Sequence, residues 1–352
     1  MAKTPLKIDL RTSPYIRKAP SVPQIMRNVV YALLPIAAYA IYQFGISALA
    51  LMCTTILACI GTEALFNKLS NKKNTIVDFS AVITGLLLGM TLPAGFPLWM
   101  AAVAGFTAIA MGKTLFGGLG FNIFNPALVG RAFIQAAFPV SITTWTPALA
   151  SDRFIEFIPS TLALPFMKPL ATAEWSQQVA IDGFTGATPL ALMKFQGIFT
   201  DSYDLFLGSV AGSTGETSSL LILICGAYLM ARKMLDWRIP AAVLFGAAVT
   251  SEFFYFMDPS HYPSPAFMLF SGGLMFAAVF MASDMVASPV TPLGIFVFGC
   301  LVGFLTIIIR LFGGLTEAVM YAILFANAAT PIIESYTQPR IYGARKKIQE
   351  KS

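Results

Sequence analysis

Three stretches of this chain carry side chains able to do chemistry beyond packing. The first is Asp182-Gly-Phe-Thr185-Gly186-Ala187-Thr188-Pro189-Leu190, two threonine hydroxyls among small residues. Taken alone, Asp-Gly favours a tight turn, and Gly-Ala-Thr-Pro suits a loop that starts a short helix. The second runs Gly117-Gly-Leu-Gly120-Phe-Asn122-Ile-Phe-Asn125-Pro126-Ala127-Leu-Val-Gly130-Arg131. Glycines followed by Asn-Pro describe a broken helix whose free backbone groups need partners or a ligand, or else close helix packing through small residues. The amides of Asn122 and Asn125 can both donate and accept. The third, Met281-Ala-Ser-Asp284-Met-Val-Ala-Ser-Pro-Val-Thr-Pro, reads as a helix cap or as the lining of a polar path.

The elements that position these stretches belong to a membrane protein. The 352 residues are 57% hydrophobic and 11% charged, with a mean hydropathy of +0.73. A soluble domain has about a quarter of its residues charged. The net charge of +6 does not point to nucleic acid, because the basic residues lie between and outside the apolar spans, where they set orientation. No cleavable signal peptide is expected, since the first apolar span begins near Val29 behind a polar leader. Cys53, Cys59, Cys225 and Cys300 fall inside apolar spans without C-x-x-C spacing, so no metal or disulfide framework is expected. The only histidine, His261, sits in a polar turn and reads as solvated.

A bilayer core of about 30 Å needs about 20 apolar helical residues. On that ruler spans fall near 29–44, 46–66, 76–92, 96–112 and 126–140, then near 217–231, 239–257, 265–282, 293–312 and 315–333. The expected fold is therefore all-α and polytopic, with about ten transmembrane helices. Residues 1–28 form a basic leader, 29–140 a first membrane half, 141–216 a long loop, 217–333 a second half and 334–352 a basic tail. With the N-terminus inside, eighteen Lys and Arg residues fall inside and only Arg153, Lys168, Lys194 and Arg310 outside, Arg131 being left uncounted. Both termini are therefore expected in the cytoplasm, and the loop carrying Thr188 outside it.

An internal repeat supports two halves. Leu115-Phe-Gly-Gly-Leu119 recurs as Leu311-Phe-Gly-Gly-Leu315, each after a basic residue, Lys113 or Arg310, and each twenty-two residues beyond a proline, Pro93 or Pro289. Five helices per half is an odd number, so the halves would be inverted in the bilayer, a known way to frame a site at their interface. Charge within spans must be paired, neutral or facing a polar path. Glu63, Asp78, Glu252, Asp284, Arg310, Glu317 and Glu334 lie in or near spans, and Glu252, deepest by position, is the candidate for cation coupling.

Asp-Gly-x-Thr-Gly-Ala-Thr resembles the flavin-attachment motif of the RnfD and NqrB membrane subunits, which belong to the Rnf and sodium-pumping NADH:quinone oxidoreductase complexes. The Asn122/Asn125 segment and the Asp284 turn resemble that family's other two motifs, in the same order along nearly the whole chain. The resemblance implies FMN joined to Thr188 through a phosphoester, with Asp182, Thr185, Gly186 and Ala187 as the rest of the attachment motif. It also implies a non-covalent riboflavin near Asn122 and Asn125. Such a chain would relay electrons in the cytoplasmic (inner) membrane and couple them to Na+ or H+ movement. The leader lacks the longer extension associated with NqrB, so RnfD is the more similar branch. There is no G-x-G-x-x-G after a strand, no P-loop and no C-x-x-C cluster motif. NADH-binding, iron–sulfur and second covalent-FMN subunits would therefore be partners, and a flavin transferase would mature the chain. The rival reading is a solute channel or transporter with inverted repeats and no flavin, and a weaker one is a cofactor-free scaffold.

Overall fold

A chain in lipid must satisfy its backbone internally, and the computed structural model does so with helices. It describes residues 21–72, 75–150, 152–165, 167, 188–208, 212–259 and 261–339, and every regular element among them is helical. Asp182, Thr185, Gly186, Ala187 and most of the basic leader and tail lie outside the described residues.

The first half opens with two long helices, α1 (Val22–Phe44) and α2 (Ile46–Leu69). Pro23 in the first turn of α1 needs no N–H partner, so the helix starts earlier than the span expected from Val29. Gly45 turns between them at φ 71°, and Ile46 N donates to Arg153 O at 2.9 Å, tying the hairpin to the segment beyond the fifth expected span. Next come α3 (Ser80–Thr91), α4 (Leu98–Ile109) ending in a π turn at Ala110–Thr114, α5 (Pro126–Ala137) and α6 (Pro139–Thr143). Two short helices, α7 (Pro189–Gln196) and α8 (Ser202–Leu207), precede the second half. That half holds α9 (Ser219–Ala231), α10 (Arg238–Met257), α11 (Pro265–Phe270), α12 (Leu274–Phe276) continued by a π turn at Ala277–Met281, α13 (Pro292–Phe312) and α14 (Val319–Thr337).

Among the described residues four helices, α1, α2, α10 and α13, are long and apolar enough to cross a membrane by length and composition. Shorter apolar helices cover 80–91, 98–114 and 219–231. Several expected spans are thus shorter or broken. At 12 residues α3 rises about 18 Å, well short of a bilayer core. The span expected at 265–282 is interrupted at Ser271–Gly273, and that expected at 126–140 ends its main helix at Ala137.

These broken ends are buried, so their free carbonyls need donors. Thr214 Oγ1 donates to Gly89 O (2.8 Å) and Leu92 O (3.0 Å), and Gly215 N donates to Met90 O (2.7 Å). The loop before α9 therefore caps the C-terminal end of α3. At the other break Arg310 Nη1 donates to Met268 O (2.6 Å) and Nη2 to Ser271 O (3.0 Å).

Helix contacts follow the same order in both halves. In the first, α2 packs on α3 and α4, and α4 on α5. In the second, α10 packs on α11 and most extensively on α13, and α13 on α14. Contacts of α1 with α9 and of α5 with α14 join the halves. Backbones meet closely where α10 crosses α13: a Cβ on Gly303 would lie 2.5 Å from Ala247 N, and one on Gly246 2.7 Å from Cys300 O. Gly303→Ala should therefore force the two helices apart and cost roughly 1–3 kcal/mol, an overpacking loss. Gly61→Ala, where a Cβ meets nothing within 4 Å inside α2, is the control and should stabilise by about 0.5–1 kcal/mol. Thermal unfolding of both variants in the same detergent checks the contrast.

Candidate functional site

Thr188 is the N-cap of α7. Its backbone is extended (φ −71°, ψ 157°), its hydroxyl accepts from Ala191 N at 3.3 Å, and Pro189 fills the first helical position. Gly197, at φ 69°, ends the helix. The sequence reading of a loop starting a short helix holds at this residue. Thr188 is 2% exposed.

Lys194, in the last turn of α7, fixes this helix to the second half. Its Nζ donates to Arg310 O at 2.8 Å and also to Gly313 O, two carbonyls at the C-terminal end of α13. A cation there also meets the negative pole of the helix.

Beneath Thr188 lies a small cavity of about 20 Å³ whose wall includes Ser213, Glu216, Thr217, Gly272 and Glu317. Arg131 from α5 joins the two carboxylates: Nη1 meets Glu216 Oε1 at 3.0 Å, and Nη2 meets Glu317 Oε2. All three side chains are buried, at 3%, 3% and 9% exposure. Arg310, 1% exposed, approaches from α13 and leaves its own terminal nitrogens on the α11 carbonyls. On the other side of α7 a vestibule of about 270 Å³ is lined by Arg131, Gln135, Trp145, Ala191, Phe195 and Glu317 among others. The centre at Thr188 thus draws on α5, α7, α13, the loop before α9 and the segment leading into α14.

A second polar centre gathers the other two motifs. Asn125 caps α5 by accepting from Ala127 N at 3.0 Å, and its amide nitrogen donates to Met281 O at 3.2 Å across 156 residues. Asn122 donates to Phe124 O at 3.1 Å. Burial pushes the Asp284 carboxyl up from its ordinary range, while hydrogen bonds from Val286 N and the Asn122 side chain pull it down. Asn122, Asn125, Ser283, Asp284, Ser80 and Lys113 share the wall of a pocket of about 110 Å³ whose remaining lining, Thr84 apart, is apolar. Lys113 is buried and bonded to Glu63 Oε1 (2.8 Å) and Ser80 Oγ (2.6 Å). Lys113, counted with the inside charges in the orientation reading, is a paired interior charge.

Sequence reading placed Asn122 and Asn125 in one motif and Asp284 in another, and the fold brings them to one pocket. Glu252 is half-buried on α10 and lines neither centre. Among the described residues the carboxylates that are buried and paired in salt bridges are Glu63, Glu216 and Glu317. Glu216 reads in the sequence as a loop acid and Glu317 as interfacial. The available signal was Arg131, a charge inside an apolar span, which has to be paired. His261 is exposed, and among the described residues no group of three or more His, Cys, Asp or Glu could hold a metal.

Removing Arg131 would leave Glu216 and Glu317 buried together without their cation. Arg131→Gln should cost about 3–5 kcal/mol, the loss expected when one partner of a buried pair is deleted. The triple variant Arg131→Met, Glu216→Gln, Glu317→Gln should recover much of this, which thermal unfolding of the purified chain in nanodiscs would read.

Residues 9–343 match the NQR2, RnfD, RnfE family. Three relatives are each the subunit lettered D of their complex. That of the Na(+)-translocating ferredoxin:NAD(+) oxidoreductase complex of Acetobacterium woodii is 40% identical, over 97% of this chain and 97% of its own. That of the proton-translocating ferredoxin:NAD(+) oxidoreductase complex of Clostridium ljungdahlii is 38% identical, over 98% of this chain and 100% of its own. That of the ion-translocating oxidoreductase complex of Alcanivorax borkumensis is 35% identical, over 94% of this chain and 96% of its own. With the family match spanning most of its length and relatives aligned end to end, the chain belongs to the NQR2, RnfD, RnfE family.

Proposed function

We propose that the chain is the RnfD-type membrane subunit of an ion-translocating electron-transfer complex and carries FMN as a phosphoester on Thr188. The observation that carries this reading is the place of Thr188: a hydroxyl at the N-terminal end of α7, against a charged centre built from both halves of the chain. The residues fit the group. A phosphoester on this oxygen would sit at the positive pole of a helix whose first position is a proline, and helix N-termini suit phosphate. Trp145 and Phe195 give the vestibule beside α7 aromatic walls for a flavin ring. The Thr188 hydroxyl is buried when α7 is formed, so attachment by a transferase precedes final docking of this segment.

The pocket of Asn122, Asn125 and Asp284 would hold the second flavin, riboflavin. Amides and a carboxylate match the alternating donors and acceptors of an isoalloxazine edge, and the apolar remainder suits its rings. Each flavin, when bound, supplies an electron carrier. The chain's own residues hold and orient it, exclude water and set the charge around it. The relatives' names imply that ferredoxin and NAD+ are handled by a complex of which this chain is one subunit. The other subunits would supply the NADH and iron–sulfur sites.

The ten-crossing inverted repeat belongs to this proposal. Lys113 and Arg310, the basic residues before each Leu-Phe-Gly-Gly-Leu copy, are both buried, and each reaches the third helical segment of its own half. Lys113 bonds Ser80 at the start of α3, and Arg310 bonds the carbonyls of α11. On this topology the Thr188 centre faces outward and the Asn122 pocket the cytoplasm.

In-gel fluorescence after denaturation tests the covalent flavin in cells that contain the transferase. Wild type should give a fluorescent band, and Thr188→Ala none. A dark wild-type band would favour the flavin-free transporter. Topology is read by single-cysteine labelling in a chain lacking its four native cysteines. Gln196→Cys should react with an impermeant maleimide in intact cells, and Lys72→Cys only after permeabilisation.

A further inference from the structure

The centre beneath Thr188 pairs its charges unevenly. Glu216 and Glu317 share one guanidinium, that of Arg131. Arg310, the other cation beside them, directs its terminal nitrogens to the carbonyls of Met268 and Ser271 rather than to either carboxylate. Glu216 Oε2 is consequently buried with no donor. The hydroxyl of Ser213, a residue 1% exposed, is also buried and has no partner. Both residues line the same cavity of about 20 Å³ beneath Thr188, enough for one water or one bare small ion.

Two further features separate this cavity from an ordinary packing gap. It lies where the loop capping α3 meets the break between α11 and α12, with Gly272 in its wall. Interrupted helices of this kind are where transporters coordinate monovalent cations. Glu317 is the residue it shares with the outer vestibule, so a carboxylate stands between the two spaces.

We propose that this cavity is a binding site for one desolvated Na+ ion. Glu216 Oε2 is its anionic ligand, Ser213 Oγ a neutral ligand, and Glu317 the carboxylate through which the ion passes from the vestibule. The assignment rests on the reading of the chain as an ion-translocating subunit. Arg131, Arg310, Glu216 and Glu317 together sum to zero. A phosphodiester on Thr188 would add one negative charge at the cavity wall, and one Na+ would cancel it. Ion occupancy and the flavin would then share an electrostatic balance within a few ångströms of buried, poorly screened space.

The test is thermal unfolding of the purified, flavin-loaded full chain in nanodiscs, with NaCl exchanged for choline chloride or KCl at constant ionic strength. A ligand bound to the folded state alone raises the midpoint with its concentration. The wild-type midpoint should rise with Na+ and not with K+ or choline. Glu216→Gln should abolish the rise, and Ser213→Ala should weaken the apparent Na+ affinity about tenfold, about 1.4 kcal/mol. Ser213→Ala deletes an oxygen that bonds nothing in the protein, so it should fold even where Glu216→Gln does not. No Na+-specific rise, or an unchanged rise in Ser213→Ala and Glu216→Gln, would mean a water-filled cavity only and overturn the assignment. An infrared carboxyl band lost in Glu216→Gln that responds to pH but not to Na+ would overturn it too. The flavin reading is judged separately by the fluorescent band, so either can fail while the other stands.

Discussion

Two helices stop inside an apolar bundle, and the free carbonyls at their ends govern most of what surrounds Thr188. In hydrocarbon such groups have no water to turn to. For α3 the donors are Thr214 and Gly215, which brings the loop before α9 deep into the structure and carries Glu216 with it. For α11 the donor is the Arg310 side chain. Once Glu216 is buried it requires a counter-charge, and Arg131 supplies it while also holding Glu317. The charged centre is therefore a consequence of interrupted helices rather than an addition to intact ones.

The two polar centres differ in how they manage charge. At Lys113 the arrangement is a pair: one ammonium, one Glu63 carboxylate, and hydroxyls from Ser80 and Thr75 around them. At Arg131 a planar guanidinium with five donors bridges two carboxylates, a geometry that an ammonium does not reproduce. Buried networks of this kind rarely raise net stability over an apolar core.

The class of the fold was legible from composition, because 57% hydrophobic residues with 11% charged leave no soluble alternative. Long helices such as α2 and α13 were legible from their length, and the N-cap at Thr188 from Thr-Pro. What hydropathy could not show was where helices break. The apolar run 265–282 looks continuous, yet Ser271–Gly273 interrupts it, because small apolar residues score alike in helix and in buried loop. Long-range pairing was also hidden. Nothing local to Glu216 announces a partner 85 residues away in Arg131, and position in the sequence singled out Glu252 while giving no sign of the buried pairing of Glu63, Glu216 and Glu317. Asn125 was found from its motif, but its bond to Met281 O is a property of the fold.

Lys194 has a mechanical consequence. Its ammonium clamps the helix that begins at Thr188 onto the end of α13, at Arg310 O and Gly313 O, while the side chain of the same Arg310 holds the end of α11. Three segments are hinged on one residue. Any tilt of α7 is therefore transmitted as a pull on a broken helix in the interior, and a strain arising there is felt at Thr188 in return.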